Sequence, residues 1–597
     1  KKEYGFNGFV ISDASAVGGA NVLHYTAADY ADASKRALQN GLDVIFQTQY
    51  EHYKLFIPPF LNDSISKERI DDAVRRVLRA KFQLGLFENP FVPIIDNTQQ
   101  QQEHRRLAQE AAEKSFVLLK NNKSVLPLGK NIKTIAVMGE EAIAGRLGGY
   151  SGPGNNIVSI LQGLQNKAGN QYHIAYAKGA GRNYAAFNTI NNNFLFTNEQ
   201  LTEKGLKAAY YKTVNFTGTP TIQTDAQVDF KWTLYGPAAV NTNSFYSVEW
   251  NGYLLPPATG NFKIGLQGND GYRLYINNQL VVDQWSKQSF HTNTAAIALQ
   301  KNKAVPIRIQ FYEPVGNAQL QLIWNAVSKD SSEIEIQKAV ALSKQSDIAI
   351  VVAGITEGEF QDRASLQLPG KQEALIHAVA ATGKPVVVLI VGGSAVVMKN
   401  WIDKVAAVLQ IWYPGEAGGH AVANTLLGIN NPAGRLPISF PIDEAQLPLV
   451  YNHKPTGRGD DYNNLSGQPL FPFGYGLSYT NFTYSNLQLN KTTLNKTDSV
   501  LVSCTISNTG AVAGDEVVQL YLHDELATVA RPVMELKGFQ RIHLTAGATT
   551  TVSFWLKPND FKLYNEQMEW VTEPGAFKIM MGASSRDIRL QTMVTIK

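Results

Sequence analysis

Residues 8–17 read GFVISDASAV. The apolar run Phe9-Val10-Ile11 ends in Ser12-Asp13, the pattern of a buried strand that delivers a carboxylate to its C-terminal end, where α/β enzymes keep their chemistry. An Asp in that place is either a cap for the segment that follows or a reactive group. The run alone leaves both readings open.

Working outward, residues 1–93 alternate strand, helix, strand, helix. After GFVIS come a helical TAADYADASKRALQNG, a strand LDVIF (42–46) and an amphipathic SISKERIDDAVRRVLRAKFQLGLF (64–87). Ile70, Val74, Val77 and Leu78 share one face of that last helix, and Gly85 stops it. Two such units cannot cover a parallel sheet by themselves. Residues 94–122 begin as a polar linker and end as a helix. Then TIAVMG (134–139), SDIAIVVAGI (346–355), KPVVVLIVGG (384–393) and VAAVLQIWYPG (405–415) are continuous apolar strands separated by helical patterns, which predicts an α/β domain with a mainly parallel sheet over 123–204 and 332–450. Its strands are interrupted by 205–331, which alternates at period two in YSVEWNGYLL, VPIRIQFYE and AQLQLIW and predicts an inserted β-domain. Asn269-Asp270-Gly271 and Asn277-Asn278 are expected to be its hairpin turns. A Gly/Pro/Asn-rich wrapping loop at 451–478 leads to an all-β sandwich at 479–597.

A chain of 597 residues needs several cores. Its formal charge of +4, with no Lys/Arg cluster, leaves no footprint for nucleic acid or an anionic membrane surface. The longest apolar runs are strand-sized, far short of the ~20 residues of a membrane helix. A single cysteine, Cys504, excludes an internal disulfide. There is no HExxH, no paired CxxC and no phosphate loop ending in Gly-Lys-Ser/Thr, so no metal or cofactor is expected. GGSAV (392–396) lacks the second glycine of a nucleophile elbow after Ser394.

Two carboxylate sites remain. Besides Asp13, the loop GITEGEFQDRASLQLPG (354–370) follows a buried strand directly and sets Glu357, Glu359 and Asp362 beside Arg363. As a solvated loop it is unremarkable; as a reactive loop it puts acids where burial and a neighbouring charge can tune them. A pair of carboxylates, one to attack the anomeric carbon and one to protonate the leaving oxygen, is what glycoside hydrolysis requires.

With those residues the chain resembles glycoside hydrolase family 3, the β-glucosidase-like enzymes, over almost its whole length. GFNGFVISD is similar to the family's nucleophile segment, and IDDAVRRVLRAKFQLGLFENP to the end of its barrel. AAEKSFVLLKNNKSVLPL, LGGYSG, WYPGEAGGHAVANTLLGINNPAGRLPISFP, YNHKP and FPFGYGLSYT are similar to its α/β-domain and linker signatures, and RPVMELKGFQRI to its fibronectin type III-like domain. The resemblance implies the C-terminal part of a (β/α)8 barrel in 1–93, an α/β sandwich domain carrying a protective-antigen-type β insertion, and a fibronectin-like sandwich. It implies Asp13 as nucleophile. Members often carry Glu-Gly-X-Asp-Arg with the catalytic Glu four residues before Arg, which gives Glu359 as acid/base with Glu357 as the fallback; Asp362 and Arg363 shape the loop, and Arg363 is a candidate substrate contact.

Two departures from the family stand out. Ala14 occupies the place of a common Trp after the nucleophile. The earlier barrel strands, which carry most sugar-binding residues, do not fit in 93 residues when such a barrel takes ~200 or more. The chain is therefore expected to be N-terminally truncated, and alone to expose the flanks of its two barrel strands and hydrolyse little. For the intact parent, the expectation is a retaining exo-acting β-glycosidase on oligosaccharides or aryl glycosides: β-glucosidase first, β-xylosidase next, with a non-catalytic carbohydrate-binding protein as the rival. A periplasmic or extracellular location is expected by analogy.

Overall fold

A computed structural model describes the chain except for residues 15, 23, 25, 48–52, 93–97, 150, 170, 183–186, 233–235, 241–244, 289, 315–317, 326–331, 359–362 and 457–459. The chain divides into two compact units, Lys1–Asp96 with Ala186–Lys329 and Asn97–Ala185 with Asp330–Lys597.

In the first segment the expected strands at 9–12 and 42–46 meet only as a single parallel bridge, Ile11 to Val44. Three backbone bonds hold it: Ser12 N to Val44 O (3.0 Å), Asp43 N to Val10 O (2.9 Å) and Val44 N to Val10 O (3.1 Å). Among the described residues the pair has no further strand beside it to extend a ladder, and Val10, Ile11 and Phe46 lie exposed along it. The helices are as the pattern predicts. Tyr30–Gln39 starts at Asp29, which accepts from Asp32 N, and Lys67–Gln83 starts at Ser66, which accepts from Arg69 N. The second helix pins the strand pair by polar contacts. The fully buried carboxylate of Asp43 receives Lys1 Nζ (2.6 Å), Val10 N (2.8 Å) and Arg69, and Arg76 reaches the carbonyls of Phe6 and Gly8. Burial alone would raise the Asp43 carboxyl, but these donors together hold it below its ordinary range.

The α/β domain is a six-stranded sheet in the order Val117–Asn121, Ala407–Trp412, Val386–Val391, Ile348–Gly354, Thr134–Met138, His173–Ala177. All pairings are parallel except that of the first strand. The segment 94–122, expected as linker and helix, thus supplies the helix Thr98–Ser115 and an edge strand of the sheet; the buried Val117-Leu118-Leu119 run is what takes it there. Alternation within the apolar strands splits the core in two: Val386, Val388 and Ile390 face one layer while Val387, Leu389 and Val391 face the other. On one face the helices Ile160–Ala168 and Gly418–Leu426 cross so closely that a Cβ at Gly163 would run into the Gly419 carbonyl. Gly163→Ala should therefore destabilise the domain by about 3 kcal/mol, more than overpacking in a yielding core, because the obstacle is backbone. A urea melt followed by circular dichroism checks this.

The chain leaves this sheet after His173–Ala177 and returns as the helix Ser332–Lys344. The intervening residues form a seven-stranded and a five-stranded sheet around one aromatic-rich core. Asn188–Thr189 and Leu195–Phe196 already pair with Ala318–Trp324 and Tyr246–Leu254, so the β structure begins before the boundary expected at 205; strands of two residues carry no readable period. Asn277-Asn278 is a two-residue hairpin with both residues at positive φ, as expected for a type I′ turn. Asn269-Asp270-Gly271 is not a hairpin. Gly260–Gly268 pairs within one sheet and Gly271–Ile276 within the other, so the turn residues form a corner between sheets. Asp270 is buried there, its carboxyl raised by desolvation.

The C-terminal sandwich pairs Phe482–Leu489, Val500–Asn508 and Thr549–Leu556 against a five-stranded sheet that includes Gly514–Asp524 and Gly575–Gly582. Cys504 sits in its core. It is keyed to the α/β domain by the buried pair Arg435–Glu516 (2.9 Å) and by Arg541, which donates to the carbonyl of Lys114 (2.9 Å).

Candidate active site

Asp13 lies two residues past the Ile11–Val44 bridge and is exposed. Its Oδ1 accepts the Ala14 N–H at 2.6 Å, and no hydrogen bond to Oδ2 occurs among the described residues. Ser12 next to it is tied into the second strand, its Oγ accepting from Phe46 N at 2.9 Å. The carboxylate therefore follows a bridged segment fixed by backbone and side-chain bonds, with one oxygen uncommitted among the described residues. Ala14, where the family commonly has Trp, contributes its N–H to that arrangement and no ring.

In the other unit, chemistry gathers where parallel sheets place it, past the carboxyl ends of adjacent strands. Glu357 follows Ile348–Gly354, Gly393 and Ser394 follow Val386–Val391, Tyr413 follows Ala407–Trp412, and Glu141 follows Thr134–Met138. The half-buried Glu357 carboxylate accepts from Gly393 N (2.6 Å), Tyr413 OH (2.8 Å) and Ser394 Oγ. Arg363 Nη2 donates to Ser394 Oγ (2.7 Å) and to the carbonyl of Ala395 (3.2 Å). Ile355, at the start of the loop, is held at its carbonyl by Arg182, whose guanidinium also pairs with the buried Glu141. Gly149 of LGGYSG packs on the loop, where a Cβ would fall 2.5 Å from the Glu357 carbonyl oxygen. Beyond the loop, Glu444 accepts from Ser365 Oγ at 2.6 Å and from Leu366 N.

These contacts set the ionisation of Glu357. Burial pushes its carboxyl up, but the donors from Ser394, Gly393 and Tyr413, with the charge of Arg363, outweigh it and hold the group below its ordinary range. Tyr413 moves the other way, pushed up to about 12 by burial and by the carboxylate it serves. A group kept ionised is the opposite of a proton donor, which needs its pKa raised. The preferred acid, Glu359, and its neighbour Asp362 lie outside the described residues.

Because the folded pKa of Glu357 is depressed, its stabilising contribution is complete above the ordinary value of 4.5 and is lost as pH falls through the lower, folded value. Glu357→Gln should lower the melting temperature across the neutral range and flatten its fall below about pH 4.5, so that the two curves converge at low pH. Melting curves from pH 7 to pH 3 on both proteins check it.

Reading the sequence alone missed the partners of Glu357. In the sequence Ser394 stands out only within GGSAV and Tyr413 only at the end of an apolar strand. Their signal was positional: each stands one to three residues past a buried strand neighbouring the loop. Among the described residues no group of three or more His, Cys, Asp or Glu side chains could hold a metal ion.

Comparison with known proteins decides the family. The glycosyl hydrolase family 3 C-terminal domain model matches residues 116–479, the family's N-terminal domain model matches 1–80, and a fibronectin type III-like model matches 516–585. The chain belongs to glycoside hydrolase family 3. Among its family 3 relatives, a periplasmic β-glucosidase of Salmonella typhimurium is 30% identical over 99% of this chain and 63% of its own length. A β-xylosidase of Formosa agariphila is 30% identical over 100% of this chain and 66% of its own. Of solved structures, a β-glucosidase from Erythrobacter marinus superposes with a TM-score of 0.70 at 27% identity, covering all of this chain and 64% of that one. A β-glucosidase from Kluyveromyces marxianus in complex with glucose gives 0.66 at 25% identity, over 99% and 73%. The chain thus spans a little under two thirds of the first curated relatives it matches. No described helix is long and apolar enough to cross a membrane.

Proposed function

We propose that this family 3 chain carries the catalytic pair of a retaining, exo-acting β-glycosidase, with Asp13 as nucleophile and Glu359 as acid/base. The observation that carries the reading is Asp13 itself: a carboxylate two residues past the Ile11–Val44 bridge, next to a Ser12 tied to Phe46 N, with no hydrogen bond to its Oδ2 among the described residues, in a segment matched by the family's N-terminal domain model. Oδ2 attacks the anomeric carbon as the glycosidic C–O bond breaks, giving a glycosyl-enzyme, and Glu359 delivers its proton to the leaving oxygen. Glu359 then takes a proton from water, which attacks the same carbon and releases the sugar with its configuration retained. The depressed pKa of Glu357 favours Glu359 over its fallback.

Glucosides are the first expected substrates, in line with the Salmonella and Kluyveromyces β-glucosidases, and xylosides the second, in line with the Formosa β-xylosidase. A periplasmic or extracellular location follows the Salmonella relative in the same way. The test is turnover of aryl β-glucosides and β-xylosides by the full-length gene product, with the anomer of the first-formed sugar read by proton NMR. A β-anomer supports the reading. An α-anomer overturns retention, and glycan binding without turnover of any aryl glycoside returns the protein to the carbohydrate-binding class.

A further inference from the structure

Trp412 ends the strand Ala407–Trp412 at φ 55, a backbone region that bulky side chains seldom occupy. Its indole is fixed from two sides: Nε1 donates to the carbonyl of Ser115 (2.9 Å), and the ring meets that of Phe440 edge-on with centroids 6.5 Å apart. Trp412 lines a cavity of about 430 Å³ where the α/β domain, the wrapping loop and the C-terminal sandwich meet. The loop contributes Phe473, on which the ring of Tyr451 stacks at 4.0 Å and 12°, and the segment before the loop contributes Leu436. The edge strand Glu535–Leu544 contributes Phe539, which is 68% exposed, so the cavity opens to solvent at that ring. A pocket of this size, walled by aromatic and aliphatic side chains already held in place, has the ordinary form of a small-molecule site.

The polar groups on the wall define the chemistry it takes. Gln519 donates to the carbonyls of Gly474 (3.1 Å) and Ala583 (2.7 Å) and accepts from Tyr521 OH (2.5 Å), so it is fully engaged. Lys114 pairs with Glu110 (2.6 Å) and Arg541 with Asp515 (2.6 Å). Arg435, its side chain 8% exposed, gives Nη2 to Glu516 (2.9 Å) and Nη1 to the carbonyls of Ala433 (3.2 Å) and Gly434 (3.1 Å). Its Nε is buried and has no partner among the described residues. A buried donor without an acceptor is unfavourable, and a ligand oxygen placed on it recovers the loss. A full negative charge is disfavoured there, because each cation on the wall already has its carboxylate and an added anion would be desolvated without a counter-charge.

We propose that this cavity is a binding site for a small uncharged aromatic molecule with one hydrogen-bond acceptor, its ring held among Trp412, Phe473 and Phe539 and its acceptor on Arg435 Nε.

The test is a titration of the 597-residue protein with acetophenone, followed by ligand-observed saturation-transfer NMR. Saturable binding is expected. Ethylbenzene, which lacks the acceptor, and benzoate, which adds a charge, should each bind at least ~10-fold more weakly. Cyclohexyl methyl ketone, which keeps the acceptor and loses the aromatic ring, should bind at least ~3-fold more weakly. Val517 also lines the cavity, and Val517→Trp, which fills it, should weaken acetophenone binding ~30-fold or more. Phe539→Ala should weaken it ~3- to 10-fold, and because that ring is largely exposed the variant keeps its fold and carries the test should Val517→Trp fail to melt cooperatively.

No saturable binding of acetophenone up to ~10 mM overturns the site. So does binding that neither folded variant weakens, since the molecule then sits elsewhere. Ethylbenzene binding as tightly as acetophenone overturns the part given to Arg435, and benzoate binding more tightly overturns the uncharged class.

Discussion

Asp13→Ala in the full-length protein is expected to lower turnover of dinitrophenyl β-glucoside by about 10⁴-fold or more, some 5.5 kcal/mol of transition-state stabilisation, the largest effect expected of any single substitution in the chain. The magnitude follows from the role. Without the carboxylate no glycosyl-enzyme forms, and the splitting of one hard displacement into two easier ones is lost. Added azide separates this role from a structural one. With the side chain shortened to a methyl group, azide attacks from the face Asp13 occupied and yields the α-glycosyl azide, an inverted product. In Glu359→Ala the glycosyl-enzyme still forms, azide replaces water, and the product is the β-glycosyl azide. Mass spectrometry and NMR of the products distinguish them. A variant at Asp13 that keeps more than about a tenth of the activity makes the residue a cap after all.

The second large effect is on stability. Glu141 has a side chain 1% exposed and pairs with Arg182, 8% exposed, and with the more open Arg146 at 3.1 Å. Glu141→Ala leaves the Arg182 guanidinium buried without its counter-charge, and breaking such a pair from one side costs about 3–5 kcal/mol. The loss appears as a lower urea midpoint. Replacing Glu141 and Arg182 together by Leu and Met should recover most of it, since removing both charges also removes their desolvation cost. Because Arg182 also holds the Ile355 carbonyl, the single variant is expected to lose activity on poor leaving groups before it loses the fold. A drop of under 1 kcal/mol would make the pair incidental to the α/β domain.

Parts of this molecule are legible from one dimension because their information is local. The strands IAIVV and VVVLIV are apolar at every position, which only a sheet covered on both faces permits, and they form the parallel centre of the α/β domain. The helix Lys67–Gln83 follows from its cap and its spacing, and Asn277-Asn278 from the positive φ its turn requires. Strand ends are likewise readable, and they brought Asp13 and the acidic loop to notice. Asn269-Asp270-Gly271 has the same local chemistry as a hairpin but turns a corner between sheets, because which strand a chain joins next depends on partners far along it. The edge strand Val117–Asn121 pairs with residues 407–410, almost three hundred positions away, and no window of sequence contains both.

What the sequence determined by itself was the order of elements, the family and the identity of the two candidate carboxylates. Each depends on residue type and spacing along the chain. What only the tertiary structure decided was the company those residues keep. Glu357, Ser394 and Tyr413 come from three separate strand ends, and the sheet alone makes them neighbours. A carboxyl's ionisation depends on such neighbours through burial, hydrogen bonds and charge, which fall off over a few ångströms of space and not of sequence. For that reason the donors and the charge that hold Glu357 ionised are not legible in its letter or in its place along the chain.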